Sequence, residues 1–244
     1  MKSSKKKFWQ NYWSNQTNGL HREQTETFLL KEAQEKLFLL NGGKSILDFG
    51  CGSAELLIHY AQFYSYCVGA DWSSSMLSHA IKRINNSNLD KKIKLLFADE
   101  VDIWNHLYQP DGSVGYFDRI TAGQVLQYFD TNQVENFIKN ALHFLSEEGK
   151  IFLFDIIDSR TYELWMVGLY QEKESSTLSL LFRILILKSK GILRLLTNKP
   201  EFCLGNAYSP SYFLEIAKKY QLKVSFVNSM YYEYRYHVIF QKEE

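Results

Sequence analysis

The feature that most constrains this chain is a short apolar run that leads into a pair of glycines. Ser45-Ile-Leu-Asp-Phe49 predicts a buried strand, and Gly50-Cys-Gly52 follows it directly. Glycines allow a backbone to turn sharply and to approach a ligand without a side chain in between. Because residues 55–63 then show a helical pattern, the segment predicts a strand, a ligand-binding turn and a helix.

The rest of the chain repeats this alternation of strands and helices. Apolar runs predict four further strands, at residues 66–70, 93–97, 117–121 and 150–154. Helices are predicted among them and near the C-terminus, at residues 74–84, 132–145 and 210–220. Two last strands, at residues 223–227 and 234–240, have a short connection that predicts an antiparallel pair. The chain is therefore predicted to have an α/β fold, a doubly wound, Rossmann-like sheet of seven mostly parallel strands with an antiparallel last strand.

Two segments lie outside this alternation. A helical pattern at residues 25–40 ends at Asn41-Gly42-Gly43, so residues 1–43 are predicted to form an N-terminal helical cap on a main domain at 44–244. The stretch at about 156–205 is too long for a plain crossover, and we predict that it forms a helical lid.

Residues 178–196 of the predicted lid have an amphipathic helical pattern. Arg183, Lys190 and Arg194 project from nearly one face, while leucines and isoleucines cover most of the rest. Two interpretations remain open. The helix packs on the domain or on a second subunit of a homodimer, or it makes peripheral contact with an anionic membrane.

The composition limits the range of partners. The formal net charge of +1 gives no long-range field that would concentrate nucleic acid. Cys51, Cys67 and Cys203 lack the spacing of a zinc site or of a disulfide framework, which fits a reducing compartment. No apolar stretch is long enough to span a bilayer. We therefore expect a cytoplasmic protein with no nucleic-acid partner and no metal.

Acidic residues lie at or near the ends of the first three predicted strands. Asp48 lies within the first, Asp71 ends the second, and Asp99 lies just beyond the third. A carboxylate in the place of Asp71 can accept hydrogen bonds from both hydroxyls of a ribose, and one in the place of Asp99 can accept a hydrogen bond from an exocyclic amine such as that of adenine. Glu55 stands where a dinucleotide fingerprint requires a small residue, and its charge would oppose a pyrophosphate. The pattern favours a ligand without phosphate.

In these motifs the sequence resembles the class I S-adenosylmethionine-dependent methyltransferases. The resemblance rests on Ile46-Leu-Asp-Phe-Gly-Cys-Gly-Ser53, on Gly69-Ala-Asp-Trp-Ser-Ser-Ser-Met-Leu77 and on Ala98-Asp99, which occur in the family order. It extends over most of residues 44–240 and implies S-adenosyl-L-methionine as the cofactor.

The resemblance also implies which residues bind that cofactor. The glycines would approach its methionine part, Asp71 would hold the ribose, and Asp99 would bind the adenine amine. Trp72 and Met76 would flank the ring, and Gln124, with Ala122 and Gly123, would line the methionine end. The complete implied set is Asp48, Gly50, Gly52, Asp71, Trp72, Met76, Asp99 and Gln124.

Two residues are candidates for action on the methyl acceptor. Asp155 follows the apolar run at 150–154 and is a candidate base or orienter, with a solvated loop acid as the alternative interpretation. His21 precedes the leading helix, in a segment that could fold over the cofactor, and ordinary packing is the alternative there. The sulfonium is already an activated electrophile, so a protein mainly has to align the nucleophile.

The sequence thus predicts methyl transfer from S-adenosylmethionine to a small molecule or glycan, including lipid-linked and surface-polysaccharide precursors. Thr121-Ala-Gly-Gln124 stands where a nucleobase amine methyltransferase would have an Asn/Asp-Pro-Pro-Tyr/Phe run, which disfavours that subclass. The alternative hypothesis is a non-catalytic partner protein that binds the cofactor structurally. The intact glycines and acids argue against it, and Glu55 argues against an NAD-dependent oxidoreductase.

Overall fold

The structure is a computed structural model that describes most of the chain. The described residues are 25–108, 115–162 and 205–243, together with residues 178, 181, 182, 184–186 and 189. His21 lies outside the described residues, and so does most of the predicted lid at about 156–205. The boundaries of the predicted cap and lid therefore stay predictions.

Seven strands of the described residues form one sheet. In chain order they are β1 Ser45–Phe49, β2 Tyr66–Asp71, β3 Ile93–Phe97, β4 Phe117–Gly123, β5 Leu145–Ile157, β6 Leu222–Asn228 and β7 Arg235–Lys242. Their order across the sheet is β3-β2-β1-β4-β5-β7-β6. The first five strands pair in parallel, and β7 pairs antiparallel with both β5 and β6. The predicted mostly parallel sheet with an antiparallel last strand is confirmed.

Helices connect the strands, and each begins or ends close to its predicted residue except the second. The described α-helices are α1 Glu26–Leu40, α2 Leu57–Tyr60, α3 Ser74–Asn86, α4 Thr131–His143 and α5 Pro210–Tyr220, and short 3₁₀ helices span Ile103–Leu107 and Leu126–Tyr128. The helix predicted at residues 55–63 is shorter because the glycine turn extends to residue 56. In the part of the chain that the structure describes, no helix has both the length and the hydrophobicity to cross a bilayer.

The sheet is covered on both faces because successive side chains of a strand point in opposite directions. Ile46 of β1 belongs to a core shared with α1, α2 and α3. The next residue, Leu47, belongs to a second core shared with α4 and α5. Both side chains are fully buried, so β1 is a central strand between two hydrophobic layers, as doubly wound sheets require.

Strand β5 is longer than predicted, and this changes the position of Asp155. The apolar run predicts a strand end at residue 154, but β5 continues to Ile157 because Ile156 and Ile157 pair with β7. The register shifts between Leu153 and Ile156, and Asp155 has a left-handed backbone with φ of 56°. Asp155 therefore lies in a bulge within the strand, a device that re-aims a side chain.

Candidate functional site

The glycine turn after β1 has the backbone geometry that only glycine accepts easily. Gly50 has φ of +74°, and its N–H donates to the Ala70 carbonyl of β2 at 2.7 Å. A β-carbon on Gly50 would also clash with the Val125 side chain. Gly52 has φ of +55°. These left-handed angles favour glycine, so both predicted glycines shape the turn at the end of β1, on the carboxyl edge of the sheet, where the parallel strands end.

Asp71 joins this turn to the next helix. One carboxylate oxygen accepts the Gly52 N–H at 2.9 Å, and the other accepts the Ser73 N–H at 2.8 Å. Burial raises the pKa of Asp71 to about 6, although hydrogen bonds from Ser73, Gly52 and Trp72 act in the opposite direction. The carboxylate is thus fixed at the end of β2 beside the glycine turn, and its oxygens are oriented by the backbone.

Neighbouring side chains brace the turn from both sides. Thr121 Oγ1 of β4 donates to Asp48 Oδ1 at 2.7 Å. From α3, Arg83 Nη1 donates to the carbonyl and to the hydroxyl of Ser53, at 2.5 and 2.9 Å. Arg83 Nη1 is also 3.9 Å from Glu55 Oε1. Sequence reasoning placed Asp48 in the site but missed Arg83, because a helical arginine thirty residues away from Ser53 gives no local signal.

A cavity of about 280 Å³ opens at the ends of β2 and β3. Asp99 lies on its wall, and Asp99 Oδ1 accepts hydrogen bonds from the backbone N–H groups of Val101 and Asp102. The ring of half-buried Trp72 forms another part of the wall. The lining residues are Trp72, Phe97, Ala98, Asp99, Asp102, Asn105 and His106. An aromatic face and an oriented carboxylate beside one cavity fit a flat heterocycle with an exocyclic amine.

Comparison with known proteins agrees with this geometry. Residues 46–149 match the protein family described as "Methyltransferase domain". The solved structure of magnesium protoporphyrin IX methyltransferase from Synechocystis PCC 6803 with bound S-adenosylhomocysteine has a TM-score of 0.62 and 13% sequence identity, and the match covers 98% of this chain and 100% of that one. Residues 46–149 thus carry the sequence of a methyltransferase domain, and the chain has the fold of the class I methyltransferases. The sequence-based prediction of this family, and of S-adenosylmethionine as its cofactor, is confirmed.

Two other proteins extend the comparison. It is 38% identical over 60 residues to the probable S-adenosylmethionine-dependent methyltransferase CRG1 of Saccharomyces cerevisiae, a match that covers 25% of this chain and 21% of the yeast protein. The chain thus spans about a fifth of that relative. Phosphoethanolamine N-methyltransferase 1 of Haemonchus contortus, solved with phosphoethanolamine and S-adenosylhomocysteine, has a TM-score of 0.61 and 14% identity, covering 98% of this chain and 48% of that one.

The second half of the carboxyl edge is built around Asp155. Gln124, which directly follows β4, has φ of 57° and donates from its side-chain amide to Asp155 Oδ2 at 3.4 Å. Ser229, in the turn between β6 and β7, donates to Asp155 Oδ1 at 3.2 Å. Left-handed backbones at non-glycine residues are uncommon and cluster at functional sites. Gln124, which the sequence placed at the methionine end, thus contacts Asp155, which the sequence made a candidate for action on the acceptor.

Helix α1 supplies a charged partner to Asp155. Lys36 Nζ lies 3.0 Å from Asp155 Oδ2 and 2.9 Å from Glu32 Oε1, and all three side chains are fully buried. Burial opposes ionisation of Asp155, but the buried ammonium of Lys36 lowers the pKa of this carboxyl well below its usual range. Asp155 is thus an ionised, paired carboxylate rather than a solvated loop acid.

His237 and Glu35 complete this buried charge cluster, which we define as Glu32, Glu35, Lys36, Asp155 and His237. His237 Nδ1 accepts the Asp155 backbone N–H at 3.0 Å. The ring proton therefore resides on Nε2, which donates to Glu35 Oε1 at 3.2 Å. Glu35 Oε1 also accepts the Met230 N–H at 2.6 Å. The cluster ties α1 to β5, to β7 and to the β6–β7 turn.

Three members of the cluster have a spacing that would suit a metal ion. The ligand atoms of Glu35, Asp155 and His237 lie within 4.8 Å of one another. However, the ammonium of Lys36 is within 3.0 Å of Asp155 and 3.8 Å of Glu35. The ammonium of Lys36 already pairs with these carboxylates, so a metal ion would have to compete with it for them.

The burial of α1 differs from what its apolar pattern predicted. Phe28, Leu29, Leu37 and Phe38 indicated the helix, yet Phe38 is 83% exposed, whereas Glu32 and Lys36 are fully buried. The reason is that Asp155 and His237 face the helix and require polar partners. Sequence reasoning missed Glu32, Glu35, Lys36 and Ser229, because their partners are distant in the chain.

Proposed function

We propose that this protein transfers a methyl group from S-adenosylmethionine to a small molecule or glycan. The observation that supports this most is the arrangement around Asp71. Its carboxylate is fixed by Gly52 and Ser73 at the end of β2, beside the cavity that Trp72 and Asp99 line. A ribose held by Asp71 would extend an adenine toward that cavity and a methionine part toward the glycine turn.

In this proposal the residues that hold the cofactor are those of the sequence-based set. Asp48, Gly50, Gly52 and Gln124 would surround the methionine part, and Met76 would pack beside the ring. The buried Met76 side chain already lies close to Gly52. When bound, the cofactor supplies an electrophilic methyl group on a sulfonium. The protein then has to align the acceptor and to exclude water.

The proposed acceptor class rests on the net charge of the chain and on the acceptors of two related structures. A chain with a net charge of +1 lacks the electrostatic attraction that nucleic-acid substrates need. The related structures named above are a porphyrin methyltransferase and a phosphoethanolamine N-methyltransferase, whose acceptors are small molecules. Lipid-linked and surface-polysaccharide precursors belong to the same proposal, because the hydroxyl groups of a glycan are nucleophiles that can accept a methyl group.

We propose that Asp155 acts as an orienter in the reaction. A carboxyl whose pKa is held well below its usual range by Lys36 is a weak base. Asp155 Oδ2 accepts from both Lys36 and Gln124, so it fixes the direction of the Gln124 amide. The amide oxygen of Gln124 can then accept a hydrogen bond from the cofactor or from the acceptor. His21 stays a catalytic candidate.

The experiment that tests the function is a calorimetric titration of ligand-free protein with S-adenosylmethionine, S-adenosylhomocysteine and NAD. We expect a dissociation constant of about 1 μM or tighter for the first two, about −8 kcal/mol, and none for NAD. Asp71→Ala should weaken this binding by at least about tenfold, because it removes the ribose acceptor. A folded, ligand-free sample that binds neither compound would overturn the proposal. If the protein binds both compounds, transfer of radiolabelled methyl groups to hydroxyl and amine acceptors would identify the substrate.

A further inference from the structure

We propose that one apolar helical face binds the surface of an anionic lipid bilayer. The apolar face consists of Leu178, Leu181, Phe182 and Leu185. This inference concerns an interaction surface and does not depend on the proposed methyl transfer.

The spacing and exposure of these four residues define the face. Each has a helical backbone, and positions i, i+3, i+4 and i+7 lie on one side of an α-helix. Their exposed fractions are 81% for Leu178, 54% for Leu181, 65% for Phe182 and 64% for Leu185. Single exposed apolar residues are normal in soluble proteins, whereas a contiguous set of large ones marks a binding surface.

The charge of the surrounding sequence indicates what the face binds. Residues 175–200 contain five basic residues and no Asp or Glu: Arg183, Lys188, Lys190, Arg194 and Lys199. The whole chain has a net charge of only +1, so the rest of the chain is net acidic. Large apolar residues together with basic ones, and no acids, complement a bilayer with anionic headgroups.

A second copy of the chain fits the same face less well. Closed dimers usually pair the same surface patch of both subunits around a twofold axis. Such pairing would bring two strongly basic segments together without any acidic residue between them, which is electrostatically unfavourable. A lipid surface has no such conflict, because the headgroups are acidic and the acyl boundary accepts the leucines and the phenylalanine.

The test is co-flotation of the full chain with vesicles. We would compare vesicles of equal phosphatidylcholine and phosphatidylglycerol with vesicles of phosphatidylcholine alone, at low and high salt. The test variant is Phe182→Asp combined with Leu185→Asp. The matched control is Phe38→Asp combined with Phe63→Asp, which also replaces two exposed apolar residues, 83% and 72% exposed, with acids. Titration with S-adenosylhomocysteine would be run on every preparation to measure the cofactor site separately.

We expect the unmodified chain and the control to float with the anionic vesicles, with partition coefficients within about twofold of each other. Both should bind these vesicles more weakly at high salt, because salt screens the attraction between charges. The Phe182/Leu185 variant should partition at least about tenfold less, because two charges then enter the apolar boundary. The inference is overturned if the unmodified chain does not float, or if the test variant floats as well as the control. It is also overturned if sedimentation without lipid shows that the unmodified chain and the control are dimers and that the test variant is a monomer. Failure to bind S-adenosylhomocysteine would count against the proposed function alone.

Discussion

The proposed cofactor half of the carboxyl edge, around Asp71, and the proposed acceptor half, around Asp155, are constructed in different ways. The cofactor half uses residues of three consecutive strand ends, from Asp48 to Asp99, and its key contacts run between backbone and side chain. The acceptor half is organised by Asp155, which is bound by Lys36 of α1, Gln124 after β4 and Ser229 in the β6–β7 turn. One half follows a local motif, and the other exists only when distant elements meet.

The two halves are also stabilised by different interactions. The glycine turn depends on left-handed backbone angles and on neutral N–H donors around Asp71. The acceptor half depends on a fully buried ion pair, whose partners are costly to separate. We therefore expect changes in the cofactor half to weaken binding, and changes in the charge cluster to weaken the fold first.

The largest expected effect is that of Lys36→Met. This change removes the cation between Glu32 and Asp155 and leaves two carboxylates buried, so the free energy of unfolding should fall by about 3–5 kcal/mol. Urea denaturation measures this difference. Lys219→Met is the matched control, because it removes the exposed pair with Glu135 and should change the stability far less. Equal losses in the two variants would show that burial does not distinguish this pair.

Gly50→Ala should have the next largest effect. It places a side chain on a residue with φ of +74° and against Val125, which should lower the free energy of unfolding by about 2 kcal/mol or more. Gly123→Ala is the control, since a β-carbon there meets only Phe154 at ordinary contact distance. Combining Gly50→Ala with Val125→Ala should recover part of the loss. If Gly123→Ala destabilises the fold as much, backbone strain is not what selects glycine at position 50.

The pH dependence of cofactor binding should follow Asp71. Its pKa is raised to about 6 by burial, and the ionised form is the better acceptor for ribose hydroxyls. Affinity for S-adenosylhomocysteine should therefore be constant above about pH 7 and should fall about tenfold by pH 5. Calorimetry across this range would measure the change. Asp71→Asn should bind more weakly with a flat profile, and a profile as steep as that of the unmodified chain would assign the pH dependence to another group.

Arg83→Met should have the smallest effect of this series. It removes two hydrogen bonds to Ser53 in the glycine turn, so cofactor affinity should fall about threefold with little loss of stability. Lys82→Met is the control, because Lys82 is the exposed preceding residue of α3. An affinity change of the same size in Lys82→Met would indicate a general charge effect instead of a brace on the turn.

The sequence was sufficient for the parts of the molecule that local rules define. The alternation of apolar runs and helical patterns predicted the seven strands, and the left-handed angles of Gly50 and Gly52 confirm that a glycine turn follows the first of them. Asp71 and Asp99 were recognised because a parallel strand that ends in an acid has a defined position on the carboxyl edge. These features depend on residues that are near neighbours in the chain.

Strand length and the buried face of α1 were decided by the tertiary structure. β5 continues past residue 154 because β7 pairs beyond the bulge, and this places Asp155 inside the protein. Glu32 and Lys36 are buried because Asp155 and His237 lie opposite them. Hydrophobic periodicity cannot report such a face, since it assumes that buried positions are apolar.

What the sequence by itself determined is the fold and the cofactor half, whose propensities, turns and strand ends are local properties of the chain. What only the tertiary structure decided is the proposed acceptor half, where Lys36 of α1, Asp155 of β5 and His237 of β7 meet Gln124 after β4 and Ser229 of the β6–β7 turn. The physical reason is that a buried charge is tolerated only where partners reach it through space. Spacing along the chain does not encode that requirement.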